Sequence, residues 1–196
     1  MNEEEKYQEW LEVENTISKL KNYSKILLDI AEILRDTIKN NNTIFLCGNG
    51  GSAADSQHIA AEFVGRFLKE RESWPAVSLT TNTSILTAIG NDYSYDEVFS
   101  RQVQGLMKPK DSLICISTSG ESINVINAAI EAKKIGSKVI SFTGQNISSL
   151  SKISDVCFMA PSYKTPRIQE SHIISLHIIC KIVEKNLLTI HKNPND

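Results

Sequence analysis

The stretch CGNGGSAADSQHIAAEFVGR, Cys47 to Arg66, decides how the rest of the chain is read. It starts at the end of TIFLCG, an apolar run with the length and β-branched character of a buried strand. A glycine-rich turn follows, and a helix is expected from about Ser52 to Leu68. A strand–turn–helix of this kind leaves free backbone N–H groups and the positive end of a helix at the turn, where an anion is stabilised. Further along, His58 and Glu62 stand four residues apart and so share one helix face. Such a pair can hold a metal or move protons, although on many helices it is only a hydrogen bond.

The pattern recurs downstream. SLICIS reads as a strand, TSGES as its turn, and Ser122–Ile135 as a helix with Val125, Ile126, Ala129 and Ala132 on one face. AVSLT at Ala76–Thr80, KVISFTG and DVCFMAP supply further strands, while Thr83–Ile89 and Tyr95–Met107 read as helices around GND at 90–92. Upstream, Trp10, Val13, Ile17 and Leu20, then Leu27, Ile30, Ile33, Leu34 and Ile38, mark two amphipathic helices broken near Asn22–Tyr23. Alternating strands and helices predict an α/β fold, a parallel sheet with helices on both faces. The strand ends then share one edge, which makes the two special turns neighbours.

Neither turn fits GxxxxGK[ST], and the first is not GxGxxG followed by an acidic ribose-binding residue, so neither nucleotide fingerprint is present. Serine, asparagine and glycine cap helices everywhere. Two such turns in one βα repeat, the second with Ser117, Thr118, Ser119 and Ser122, point instead to a sugar phosphate.

Bulk properties exclude other classes. The 196 residues suit one α/β domain with helical additions. A net charge of −2 offers no broad cationic surface for nucleic acid or anionic lipid. MNEEEKYQEW lacks the features of a signal peptide, and no apolar run approaches a membrane span of roughly 20 residues, so a cytoplasmic protein is expected. Cys47, Cys115, Cys157 and Cys180 are scattered without CxxC spacing, three in predicted strands and one in an apolar helix, and are read as reduced, buried hydrophobes.

The last helix, expected over Pro166–Leu188, is apolar almost all round between Ile173 and Val183, yet carries Gln169, Glu170, His172 and His177. Buried polar groups need partners. His172 is turned about 140° from His177 and cannot serve the same site. Gln169 and His177 differ by about 12 Å of rise and roughly 80° of rotation, too much for one straight helix to place both on one ion. If both serve the site of His58 and Glu62, one of them comes from another subunit; His177 is expected to do so.

These motifs, CGNGGSAADSQHIAAEFVGRF, LTAIGND, ISTSGES and PRIQESHI…H, make the chain resemble the phosphoheptose (sedoheptulose 7-phosphate) isomerases of the sugar isomerase (SIS) domain superfamily, nearly end to end. The resemblance implies an SIS-type three-layer αβα sandwich at residues 41–196, with an N-terminal helical extension at residues 1–40 that packs in a homotetramer with sites at subunit interfaces. It implies an intramolecular oxidoreductase that converts sedoheptulose 7-phosphate to D-glycero-D-manno-heptose 7-phosphate. By position, the catalytic base falls on Glu62 and the acid on His177; the zinc ligands fall on His58, Glu62, Gln169 and His177. Substrate contacts fall on Asn49, Gly50, Gly51, Glu62, Asn91, Asp92, Ser117, Thr118, Ser119, Ser122 and Gln169, with Ser52 and Arg66 close by. Pro166 stands where some members carry an Asp. Two alternatives stay open: another sugar-phosphate SIS enzyme, and a non-catalytic relative that binds the bacterial replication initiator. Members of that last group lack the acidic residue and the last-helix histidine, both present here.

Overall fold

The structure, a computed structural model, describes residues 2–190. Helices α1 (Glu3–Lys19) and α2 (Ser24–Lys39) flank a 3₁₀ turn at Leu20–Tyr23, the expected break. Then follow β1 (Ile44–Gly48), α3 (Gly51–Val64), β2 (Ala76–Ser78), α4 (Thr83–Asp92), a 3₁₀ turn at Tyr95–Glu97 and α5 (Ser100–Leu106). The second half comprises β3 (Ser112–Ile116), α6 (Ile123–Ile135), β4 (Lys138–Thr143), α7 (Ser149–Ile153), β5 (Val156–Met159) and α8 (Thr165–Ile190).

The five strands are all parallel in the order β2-β1-β3-β4-β5. The central strands β1 and β3 are buried along their whole length, which is why they read as near-continuous apolar runs, while the edge strands β2 and β5 are only partly covered. Alternate residues feed two cores. Ile44, Leu46, Ile114, Ile140 and Phe142 pack with α2, α3 and α8; Phe45, Cys47, Leu113, Cys115 and Val139 pack with α5, α6 and α7. This is the three-layer α/β sandwich expected. Leu27, Ile30, Ala31 and Leu34 of α2 belong to the chain's own core, so α2 is more than an oligomer contact.

Four boundaries differ from the periodicity. Gly65 ends α3 at Val64, short of Leu68, because residues 67–69 turn to donate their amides to Glu184. The segment Tyr95–Met107 splits because Ser94 caps a short 3₁₀ turn and Val98 and Phe99 enter the core between the two pieces. α4 continues through Gly90–Asp92, and α7 arises from a Ser148/Ser151 capping box that no apolar pattern announced. The cysteines are free, three buried and Cys157 half-buried. Burial, then the nearby Glu62 charge, pushes the Cys180 thiol up to about 12, which keeps it inert.

Candidate active site

In the strand order, β1 lies between β2 and β3, so the chain leaves β1 to one side and returns on the other. Crevices at such a switch point, outside the carboxyl ends of the strands, are where open α/β sheets hold ligands. Cys47 pairs in register with Cys115 and Gly48 with Ile116, so both strands end level and their turns begin side by side. The predicted neighbourhood of the two turns is observed.

Glycine shapes the first turn, at Gly50 for a positive φ and at Gly48 and Gly51 because a side chain has no room. Gly50 has φ +54° and precedes the first turn of α3. A Cβ at Gly48 would meet the Ser52 carbonyl at 2.7 Å, and one at Gly51 would meet Gln169 Nε2 at 2.7 Å. In the second turn Ser117 Oγ lies 3.0 Å from Ser122 Oγ and 3.5 Å from Ser119 Oγ. The amides of Gly120 and Glu121 donate to the Ser117 and Ser119 hydroxyls. Ser117 is buried, Thr118 and Ser122 are half-buried and Ser119 is exposed, so hydroxyls line the turn from floor to rim.

Two residues not given a site role from the sequence, Asn124 and Tyr95, tie the turns together through Asn49. Asn49 and Asn124 exchange both amide hydrogen bonds at 2.9 Å, and the Tyr95 hydroxyl donates to Asn49 Oδ1 at 3.2 Å. Asn124, in the first turn of α6, looked like any polar helix residue; only the pairing of distant strands reveals its role.

Beyond the turns, α3 and α8 run alongside one another in the same direction. Gln169 touches Gly51, His177 meets His58, and Glu184 receives the amides after α3. His58 Nε2 lies 3.2 Å from Glu62 Oε1 and 3.4 Å from His177 Nε2. Donor atoms of all three lie within 4.8 Å of one another. The expectation that His177 reaches Glu62 of another chain is therefore corrected. Parallel packing brings it to His58 within one chain. Phe67 stacks on the His177 ring at 5.6 Å between centroids, 26° from parallel.

Asp55, one turn before His58, was missed. Its spacing to His58 was the available signal. Burial raises its carboxyl above the usual range, while His58 and His177 pull it back.

Other expected residues lie apart. Gln169 is held at Gly51, seven residues up α3 from His58, and does not join the three donors within the chain. Asn91 and Asp92 end α4, exposed and hydrogen-bonded to each other. Arg66 is exposed beyond the end of α3, paired with Glu70 and far along the helix from the turns. His172 is fully buried, its Nε2 3.0 Å from the Thr143 carbonyl, and takes no part, as its angle around the helix required.

Two imidazole nitrogens and a carboxylate converging this closely match the ligand chemistry of zinc. The fold and site together define an α/β protein with a hydroxyl-lined crevice at a switch point beside a cluster of two histidines and a carboxylate.

Comparison with known proteins narrows that class. The SIS domain family model matches residues 10–144. The phosphoheptose isomerase of Aquifex aeolicus is 50% identical over 163 residues, 83% of this chain and 85% of its own length. That of Aliarcobacter butzleri is 49% identical over 180 residues, 91% of this chain and 95% of its own. The solved phosphoheptose isomerase of Neisseria gonorrhoeae superposes with a TM-score of 0.88 at 39% identity, covering 93% of this chain and 98% of that one. The chain belongs to the SIS domain family and, within it, to the phosphoheptose isomerases, which are sugar-phosphate isomerases.

Proposed function

We propose that this chain interconverts sedoheptulose 7-phosphate and D-glycero-D-manno-heptose 7-phosphate, an early step toward the heptose of bacterial surface glycans. The observation that carries the reading is the convergence of His58, Glu62 and His177 along a helix whose N-terminus opens beside the serine turn.

The serine turn and the two helix N-termini bind the phosphate and the sugar hydroxyls, through backbone N–H groups and through Ser117, Thr118, Ser119 and Ser122. Gln169, against Gly51, adds an amide to the same crevice. Glu62 takes the proton from C1 of the ketose, and the electron pair moves to form the C1–C2 double bond of an enediol. His177 gives a proton to the C2 oxygen and receives one from the C1 oxygen; Glu62 returns its proton to C2. Each such acid–base group is worth about a hundredfold or more in rate.

His58, Glu62 and His177 are also the residues that would hold a Zn²⁺ ion, which when bound would polarise the carbonyl; the proton would then be carried by the carboxylate oxygen and ring nitrogen not bound to the ion. Within one chain Gln169 stands at Gly51, apart from that ligand set, and it would complete the set of a neighbouring copy only where the two crevices meet.

A homotetramer with sites between subunits fits what a single chain leaves uncovered. α4 has no fully buried residue, and Asn91 and Asp92 at its end are exposed; in a tetramer they would complete a neighbour's crevice. An apolar cavity of about 430 Å³ is lined by Ile17, Leu20, Leu27, Ile174, Ile178 and Ile182, and Trp10 is 68% exposed. The N-terminal extension, residues 1–40, packs there in the oligomer through the outer faces of α1 and α2. No helix of the described residues is long and apolar enough to cross a membrane. We place the enzyme in the cytoplasm.

The test is turnover of sedoheptulose 7-phosphate in D₂O, followed by NMR, beside an amino-sugar phosphate and a pentose phosphate. Aldose formation is expected, with deuterium at C2 in the fraction of turnovers in which the proton on Glu62 exchanges with solvent before it is returned. Preference for another sugar phosphate would move the chain to a different SIS activity; no turnover of any would overturn the enzymatic reading.

A further inference from the structure

The proton-transfer cluster stands at the C-terminal end of α3, where a helix has four carbonyls without partners of its own. One side chain gathers two of them, with two carbonyls of the chain that follows. Arg71 Nη2 donates to the Glu62 carbonyl at 2.7 Å, and Nη1 donates to the carbonyls of Phe63 at 2.9 Å and Glu72 at 2.8 Å. Nη1 also lies 3.4 Å from the Gly65 carbonyl. The guanidinium lies flat over Trp74, 3.6 Å from the ring centroid.

Its counter-charge is Glu184, two helical turns beyond His177 on α8. The ion pair is closed from water, with the side chains 1% and 3% exposed. The Nε–Oε1 approach of 3.4 Å is a charge contact rather than a formed hydrogen bond. Glu184 spends its oxygens instead on the amides of Phe67 (3.3 Å), Leu68 (3.0 Å) and Lys69 (3.0 Å). Phe67 in turn stacks on His177. One end of this pair thus grips the peptide of Glu62, and the other grips the residue packed against His177.

A buried ion pair is weak evidence for stability, because its desolvation offsets most of its attraction. Its use here is geometric. We infer that Arg71 and Glu184 are positioning residues that set Glu62 and His177 to one another, rather than a stability element alone. The inference rests on the proton-transfer reading of those two residues. A lysine at 71 would keep the charge but could not reach both the last carbonyls of α3 and that of Glu72 with a planar fork.

The test uses the full-length oligomer and two substitutions, Arg71→Lys and Glu184→Gln; the second keeps an oxygen acceptor for the amides. Turnover of sedoheptulose 7-phosphate and binding of Co²⁺ alone, by its visible absorption, are measured for each protein that is folded by circular dichroism. We expect kcat to fall by about tenfold or more, since small misplacements at a reacting centre are costly. KM should stay within about twofold, because the phosphate-binding turns lie at the far end of α3. Affinity for Co²⁺ should drop by about 10–100-fold, as for residues that orient metal ligands.

A folded Arg71→Lys with wild-type kcat and Co²⁺ affinity would overturn the inference. So would unfolding of both variants, which would assign the pair to stability alone. A wild type that binds Co²⁺ without isomerising sugars would remove the proposed reaction, and the Co²⁺ shift would still decide the positioning role.

Discussion

His172 gives the fold a built-in acid sensitivity whose size follows from its surroundings. The ring is completely buried, edge-on to Phe142 and Phe158, with Nε2 hydrogen-bonded to the Thr143 carbonyl and Nδ1 without a partner. Burial pulls its pKa from 6.5 to about 4, the carbonyl contact opposing only in part. The unfolded chain therefore takes up a proton near pH 6.5 that the folded chain refuses until about pH 4. Between those values the unfolded state binds more protons, so stability is full above pH 6.5 and falls as the pH drops toward 4. A single site of this kind costs about 2 kcal/mol by pH 5 and about 3 kcal/mol by pH 4. Other groups titrate over the same range, so the quantity to measure is a difference. Urea unfolding of wild type and His172→Gln at about pH 7, 5 and 4 isolates it. The wild-type advantage, whatever its value at neutral pH, should shrink by about those amounts. A difference constant to within about 0.5 kcal/mol, or a His172 Cε1 proton titrating near 6.5 in the folded protein, would refute the reasoning.

Glu62→Gln should fold and assemble normally but lose at least about a hundredfold in turnover; near-native turnover would remove Glu62 from the mechanism. Ser119→Ala with Ser122→Ala should weaken sugar-phosphate binding by roughly 1.5–3 kcal/mol per hydrogen bond lost to the anion, with little change in melting temperature. The opposite pattern would reduce the turn to a helix cap. Glu62→Gln and His177→Ala, co-expressed as mixed oligomers, should recover no activity, because both groups meet within one chain. Recovered turnover would mean that His177 works across a subunit boundary.

The layering of the sheet was legible because strand and helix periods alternate, and the turns because glycine and serine sit where strands end. His58 and Glu62 were legible because one helix fixes their spacing. What was not legible depends on how separate elements pack. His177 was expected from another chain because the sequence carries no sign that α8 runs parallel to α3. Arg71 and Glu184 lie 113 positions apart and look like ordinary surface charges until both are seen buried. Asn124 acquires its meaning only from the register that sets Gly48 beside Ile116. The early end of α3 is a tertiary effect too, since Glu184 draws away the amides that a longer helix would have used.

Placing the glycine turn and the proposed base, Glu62, on one helix also limits how this protein can change. One residue added or removed between Gly51 and Glu62 shifts the carboxylate by about 1.5 Å but swings it through about 100°, off the face that α3 turns toward His177. Only a whole turn, about 5.4 Å, restores the face, and that is several carbon atoms of sugar chain. The reach of this enzyme is quantised in steps coarser than the differences among sugars. Adaptation to a longer or shorter sugar therefore has to be made at the serine turn or by a neighbouring subunit, with α3 kept at its present length.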